Sequence, residues 1–382
     1  MQRRVILAAG LLAALACGAA SAQDEPVKLG AVLPFSGGLE LFGGQARLGI
    51  DLAVQEINDA GGIGGRPLEV IYEDNQTDPR TSVERATKLT RGDGVIAVLG
   101  PITSNARDAM LPTMERSSVP LLYATNYEGG ACSRYVFSFN SVPNQELAEL
   151  VPYLAANRGQ RFFMFGADYV WPQQMFATAA ELVAEAGGEV VGTEFTPWGV
   201  TEFAPVVRQI EESGADVLLF ALPGADGITF IRQAEDFGLL DQLTVGFLGF
   251  SEDYLGAFGE GKAQDMWVTV PFAAADPSEG VQDFTARLAA MAGDDVVASH
   301  YTMTHYNAVK AVAAALAGAD TIDAEALVDG LQGLEIETPT GPLTIDAANH
   351  HVTMAMFLAR TEGAGLEVVE ALGRIAPEPG CN

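Results

Sequence analysis

Histidine and cysteine are scarce in this chain, at four and three residues among 382. So few histidines leave little material for a histidine-based catalytic or metal centre. His300 and His305 are five apart, off one helix face, which does not suit a zinc pair. His350 and His351 have no Glu-x-x-His partner. Basic residues are also few: 21 Lys and Arg face 50 Asp and Glu, a net charge of −29. That balance disfavours nucleic acid and anionic membrane surfaces as partners. The acidic residues spread over the whole chain and read as a solubility coat, with attraction of cationic ligands as the sharper alternative.

Other signatures are incomplete. Gly249-Phe250-Ser251-Glu252-Asp253 imitates a nucleophile elbow but carries Asp where the motif needs Gly. Asp74 to Asp78 begins like a calcium loop, but Pro79 occupies the place reserved for Gly. The glycine-rich stretch 34–44 lacks both the Walker lysine and G-x-G-x-x-G, which argues against a nucleotide. The reading is therefore of a non-enzyme with no cofactor and no metal.

Long apolar runs are missing too. Residues 5–16 form an apolar run behind Arg3 and Arg4, too short to span a bilayer as a helix. Ala20-Ser21-Ala22 supplies small residues for cleavage, so residues 1–22 read as a secretory signal and the mature chain as exported. Cys17 raises a lipoprotein alternative, although Leu15 sits one position later than a lipobox has it. Export permits a disulfide between the remaining pair, Cys132 in a loop and Cys381 in the tail; two free thiols are the alternative.

What is present is a rhythm of strand, loop and helix. Apolar strands are predicted at 27–33, 68–72, 95–99 and 120–123, with helices at 44–60, 79–92 and 104–115. Asp78 followed by Pro79 forms a helix start. Residues 136–143 read as a strand crossing to a second module. Its strands are expected at 161–165, 189–195, 216–222, 243–248 and 266–271, alternating with helices. Three helices follow, then a return strand at 341–346 and a last strand at 352–361. This alternation implies an α/β fold with parallel sheets. Three passes imply two lobes around a cleft: 23–140 with 272–341, and 141–271 with 342–382. Such a hinge permits closure on a ligand.

Ligands of open parallel sheets sit at the carboxyl ends of the strands. The loop after the first strand offers Phe42 and several glycines. Ser104 opens the helix after the third strand, where capping by Thr103 or Ser104 is the bland reading. Tyr123, Thr125 and Asn126 follow the fourth strand, with core packing the alternative for Tyr123. In the second module, Tyr169 and Trp171 supply aromatic surface with polar tips. Asp226 and Ser251 are further candidates; for Asp226 a helix N-terminal charge is equally good.

The opening VKLGAVLPFSGGLELFGGQARLGIDLAVQEINDAGGIGGRPLEVIYED and the closing TGPLTID resemble the periplasmic solute-binding proteins of ABC transporters, in the leucine/isoleucine/valine-binding superfamily. A narrower resemblance is to its short-chain amide and urea branch. Its marks are Tyr127-Glu128-Gly129 with Cys132-Ser133, Val142-Pro143-Asn144-Gln145, and the loop from Gly166 to Pro172. By that match Ser104, Tyr123, Thr125, Tyr169 and Trp171 fall on ligand positions. Trp171 replaces a tyrosine usual in that branch, and Ile102 an aromatic. The resemblance implies a two-lobed, class I binding fold, periplasmic location, and a monomer serving ABC permease subunits. The small-molecule ligand is expected to be amide- or urea-like. Alternatives are branched-chain or other amino acids, a small aromatic acid, and a ligand-sensing receptor role.

Overall fold

A computed structural model describes residues 25–259 and 261–381. The expected signal segment and Cys17 lie outside them. The first strand, β1 (Val27–Leu33), is buried almost throughout, as a central parallel strand covered on both faces must be. Helix α1 (Glu40–Asp59) follows, with Phe42, Ala46, Ile50, Ala53 and Ile57 on its buried face. It starts four residues earlier than the glycines suggested. Glu40 accepts a hydrogen bond from the Gly38 N–H (3.1 Å) and places acid in the first turn. Gly43 lies inside the helix because a Cβ there would come 2.0 Å from the Pro34 carbonyl.

Strand β2 (Leu68–Asp74) leads to α2 (Pro79–Lys88), whose N-cap is Asp78; its carboxylate accepts from the Thr81 N–H at 2.7 Å. A π-helical turn at Leu89–Asp93 extends this helix to Gly94. Next come β3 (Ala97–Leu99), α3 (Ser104–Ser117), β4 (Leu121–Tyr123) and β5 (Val136–Ser138). The expected crossing strand is thus short. It pairs with β4 and gives way to α4 (Pro143–Asn157), a helix the sequence reading lacked. Pro143 starts it, Gln145 caps the Val142 N–H (3.1 Å), and Leu147, Leu150, Val151 and Leu154 bury its inner face.

The second module runs β6 (Arg161–Ala167), α5 (Val170–Glu185), β7 (Glu189–Thr196), α6 (Ala204–Ser213), β8 (Val217–Ala221) and α7 (Gly224–Asp236). It continues with β9 (Thr244–Phe247), α8 (Tyr254–Phe258) and β10 (Trp267–Val270). Helices α9 (Glu279–Ala292) and α10 (His300–Ala315) return to pack on α1, and α11 (Ala324–Leu331) packs on α10. Strands β11 (Glu335–Thr338), β12 (Gly341–Ile345), β13 (Val352–Glu362) and β14 (Gly365–Ile375) finish the chain. The expected lobe boundary at 341 falls inside the β11–β12 hairpin.

The first sheet has the order β2-β1-β3-β4-β5, all parallel. The second contains β7-β6-β8-β9-β10, the same order in its own numbering, extended by antiparallel β13, β14, β12 and β11. Each sheet therefore has its topological switch point beside its first strand, where a crevice forms. Cys132 and Cys381 are bonded, with Cα atoms 5.6 Å apart. The bridge pins the tail beyond β14 to the loop between β4 and β5, and the Gly130 N–H adds a hydrogen bond to the Pro379 carbonyl (2.7 Å).

Candidate ligand-binding site

A cavity of about 310 Å³, including its solvent-open part, lies where the carboxyl ends of the two sheets face each other. From the first sheet's side come Phe42 on α1, Ile102 and Ser104 after β3, and Thr125 and Asn126 after β4. Tyr301, in the first turn of α10, joins them. Tyr169 and Trp171 after β6, Pro223 after β8 and Gly249 after β9 face them from the second.

Six of the nine residues expected at the site line this cavity: Phe42, Ser104, Thr125, Asn126, Tyr169 and Trp171. The other three do not. Tyr123 is fully buried, donates its hydroxyl to the Ile102 carbonyl (2.9 Å) and packs edge-on against Tyr127. It supports the loop bearing Ile102 instead of forming a wall. Asp226 accepts the Gly199 N–H at 2.7 Å and so anchors the loop that carries Trp198. Ser251 donates to Asp253 within its own turn. Sequence reasoning missed Leu39, Pro223, Gly249 and Tyr301 as lining residues, and treated Ile102 only as a departure from a family pattern. Tyr301 had one usable signal, its place at the start of a helix whose first turn is polar yet buried.

The polar inventory of the cavity is uneven. The Thr125 hydroxyl and the Trp171 Nε1 are buried with no hydrogen-bond partner among the described residues. Such atoms cost stability unless something binds them. Asn126 is held at both ends: its Oδ1 accepts from Tyr301 Oη (2.8 Å) and its Nδ2 donates to Glu146 Oε2 (3.0 Å). Burial pushes the Glu146 carboxyl up to about 7, opposed by its bonds from Asn126, the Gly249 N–H and Ser141. Ser104 donates to Glu128 Oε2 (2.7 Å), and Glu128 Oε1 accepts from Arg107 Nη2 (2.8 Å). Among the described residues no charged side chain lines the cavity itself.

Phe42 packs edge-on against Tyr301 with ring centres 4.7 Å apart. Tyr169 continues the aromatic surface to Trp171 and to the half-exposed Trp198. The two sides also touch directly, since the Gly38 carbonyl accepts from the Ala225 N–H at 3.0 Å. That approach requires glycine at 224. Its φ is +73°, and a Cβ would stand 2.3 Å from the Gly38 oxygen.

Residues 26–365 match the model of a family described as periplasmic binding protein. This chain belongs to that family. A Leu/Ile/Val-binding protein homologue of Brucella melitensis is 26% identical over 359 residues, covering 91% of this chain and 90% of the relative. A branched-chain amino acid transporter substrate-binding protein from Streptococcus pneumoniae, solved with isoleucine, superposes with a TM-score of 0.80 at 23% identity, covering 91% of this chain and all of that one. A solute-binding protein from R. palustris, solved with 4-hydroxybenzoate, gives 0.82 at 21% identity and covers 93% and 98%.

The fold is thus the α/β periplasmic binding protein fold with parallel sheets that the alternation implied. Membership makes this a binding protein and not an enzyme, and implies a periplasmic, exported chain. Among the described residues no helix is long and apolar enough to cross a membrane. The cavity is lined by residues that follow strands of both sheets.

Proposed function

We propose that this periplasmic binding protein captures a small neutral polar ligand of the amide or urea class and delivers it to an ABC permease by lobe closure. One observation carries the ligand class: among the described residues the buried Thr125 and Trp171 polar atoms have no partner and the cavity no charged lining. A neutral ligand leaves no buried charge unpaired, which would be costly. An amino acid would bring an ammonium needing an acid. Neither Asp226 nor Glu252 lines the cavity; Glu252 instead accepts from the Ala274 N–H (3.1 Å). The Gly38–Ala225 contact supports closure, with lobes taken as 23–140 with 272–341 and 141–271 with 342–382.

A small aromatic acid is the second reading, favoured by Phe42, Tyr169, Trp171 and Tyr301 around the cavity and by the bound 4-hydroxybenzoate of the R. palustris protein. Calorimetry with acetamide, urea, isoleucine and benzoate separates these readings. Heat with acetamide or urea supports the first. Binding of isoleucine or benzoate with no response to either amide removes it.

A further inference from the structure

We infer that the buried Arg107–Glu128 pair fixes the polarity of Ser104, so that the site demands an N–H donor from its ligand at that point. The inference deepens the proposed reading and rests on it for the location of the site. Arg107 and Glu128 have side chains only 3% and 7% exposed, and Arg107 also grips Asp108 Oδ1 at 2.8 Å. A carboxylate held by a guanidinium accepts hydrogen bonds and donates none. The single Ser104 proton is therefore committed to Glu128, and only the oxygen lone pairs remain for the cavity.

Of the remaining polar groups the Thr125 hydroxyl can donate or accept, and two others have the opposite sense. Trp171 Nε1–H donates only, and it has no partner among the described residues. Asn126 Nδ2 has a second hydrogen beyond the one given to Glu146. A ligand must then present an acceptor to Trp171 and Asn126 and an N–H to Ser104. A carboxylate meets the first demand and fails the second, because its oxygen would face the Ser104 lone pairs. Ser104 is consequently a discriminating acceptor, and Glu128 is a positioning residue that touches no ligand.

Glu128→Gln tests this directly. Arg107 would hold the glutamine oxygen, turning the amide NH2 toward Ser104. The serine then accepts from glutamine, and its proton is released to the cavity. Calorimetry uses three matched pairs: acetamide with acetate, benzamide with benzoate, and isoleucine with 3-methylpentanoate. In the parent protein the N–H-bearing member binds tighter, and in Glu128→Gln the affinity ratio falls by about tenfold or more, as for one hydrogen bond reversed. Ser104→Ala, which leaves the ion pair in place, lowers the ratio as well and carries the test if Glu128→Gln does not fold.

Acetamide binding with an unchanged ratio in either folded variant overturns the inference and leaves the amide reading standing. Binding of isoleucine without any amide overturns that reading, and the isoleucine pair then decides the role of Glu128 by the same ratio. Acetate or benzoate binding tighter than its amide in the parent protein overturns both.

Discussion

The two walls of the cleft are built from sheets of the same strand order, yet they bring different chemistry. The first sheet's loops supply hydroxyls and an amide, on Ser104, Thr125 and Asn126. The second supplies aromatic surface on Tyr169 and Trp171, backed by Pro223 and Gly249. The difference follows from what lies behind each wall. Arg107, Glu128 and Glu146 stand behind the polar wall and hold Ser104 and Asn126 in place. The aromatic wall is placed by packing, and the one polar atom Trp171 offers has no bond behind it among the described residues. The first wall therefore sets orientation, and the second supplies apolar area.

Breaking the approach of the walls should have the largest effect. Gly224→Val puts a β-branched residue at φ +73° against the Gly38 carbonyl. Affinity for the ligand identified by calorimetry should fall by about 3 kcal/mol or more, because strain of this kind costs about 1–3 kcal/mol before the clash is added. X-ray scattering should show the variant remaining extended at ligand concentrations that compact the parent. Next comes Thr125→Val. It should weaken binding by about 1–3 kcal/mol while leaving thermal stability unchanged or slightly raised, since the lost hydroxyl has no partner among the described residues. Trp171→Phe should behave alike, and a large drop in stability with unchanged affinity would make these atoms structural.

A pH titration separates the backing of the walls from their surfaces. Burial pushes Glu146 up to about 7, Asp253 to about 6 and Glu252 to about 8. Each carboxyl binds its proton more tightly when folded, so its contribution is full at low pH and is lost as pH rises to its folded value. Burial lowers His300, His305 and His351 to about 4, so their contribution grows from pH 4 to the unfolded value of 6.5. The two sets oppose one another below pH 6.5; above it Glu146 and Glu252 dominate, while the histidines still add about 0.4 kcal/mol each as their unfolded forms lose the last of their protons. Unfolding free energy from denaturant titration should fall by about 1 kcal/mol between pH 6.5 and 8, mainly through Glu252 and partly offset by the histidines. Glu252→Gln should flatten that slope. The smallest effect belongs to residues outside the walls: Ser251→Ala should change ligand affinity by less than about 0.5 kcal/mol.

Much of this was legible because parallel sheets are written in buried apolar strands. Residues 27–33 and 217–221 could hardly be anything else, and Asp78-Pro79 announced its helix by cap chemistry. Errors arose where local signals conflicted. Gly43 and Gly44 suggested a loop, but close packing against Pro34 puts glycine inside a helix. Val136 to Pro143 looked continuous, although the chain crosses between sheets after Ser138 and Pro143 begins α4. β14 is mostly polar on its exposed face, and only pairing with β13 makes it a strand.

Within the site, position along the strands pointed to Ser104, Thr125, Asn126, Tyr169 and Trp171, because every parallel strand delivers its following loop to the same edge. That much the chain determines by itself: the alternation, the sheet edges and the kind of residue placed there. Tertiary structure decided which side chains face the cavity. It turned Tyr123 into the core, gave Asp226 to the loop of Gly199 and Ser251 to its own turn, and brought Tyr301 from 175 residues beyond Asn126 to hold it. Such choices depend on hydrogen-bond partners far apart in the chain, which no local pattern encodes. The same holds for Cys132 and Cys381, whose pairing required 249 residues of fold to bring a loop and a tail together.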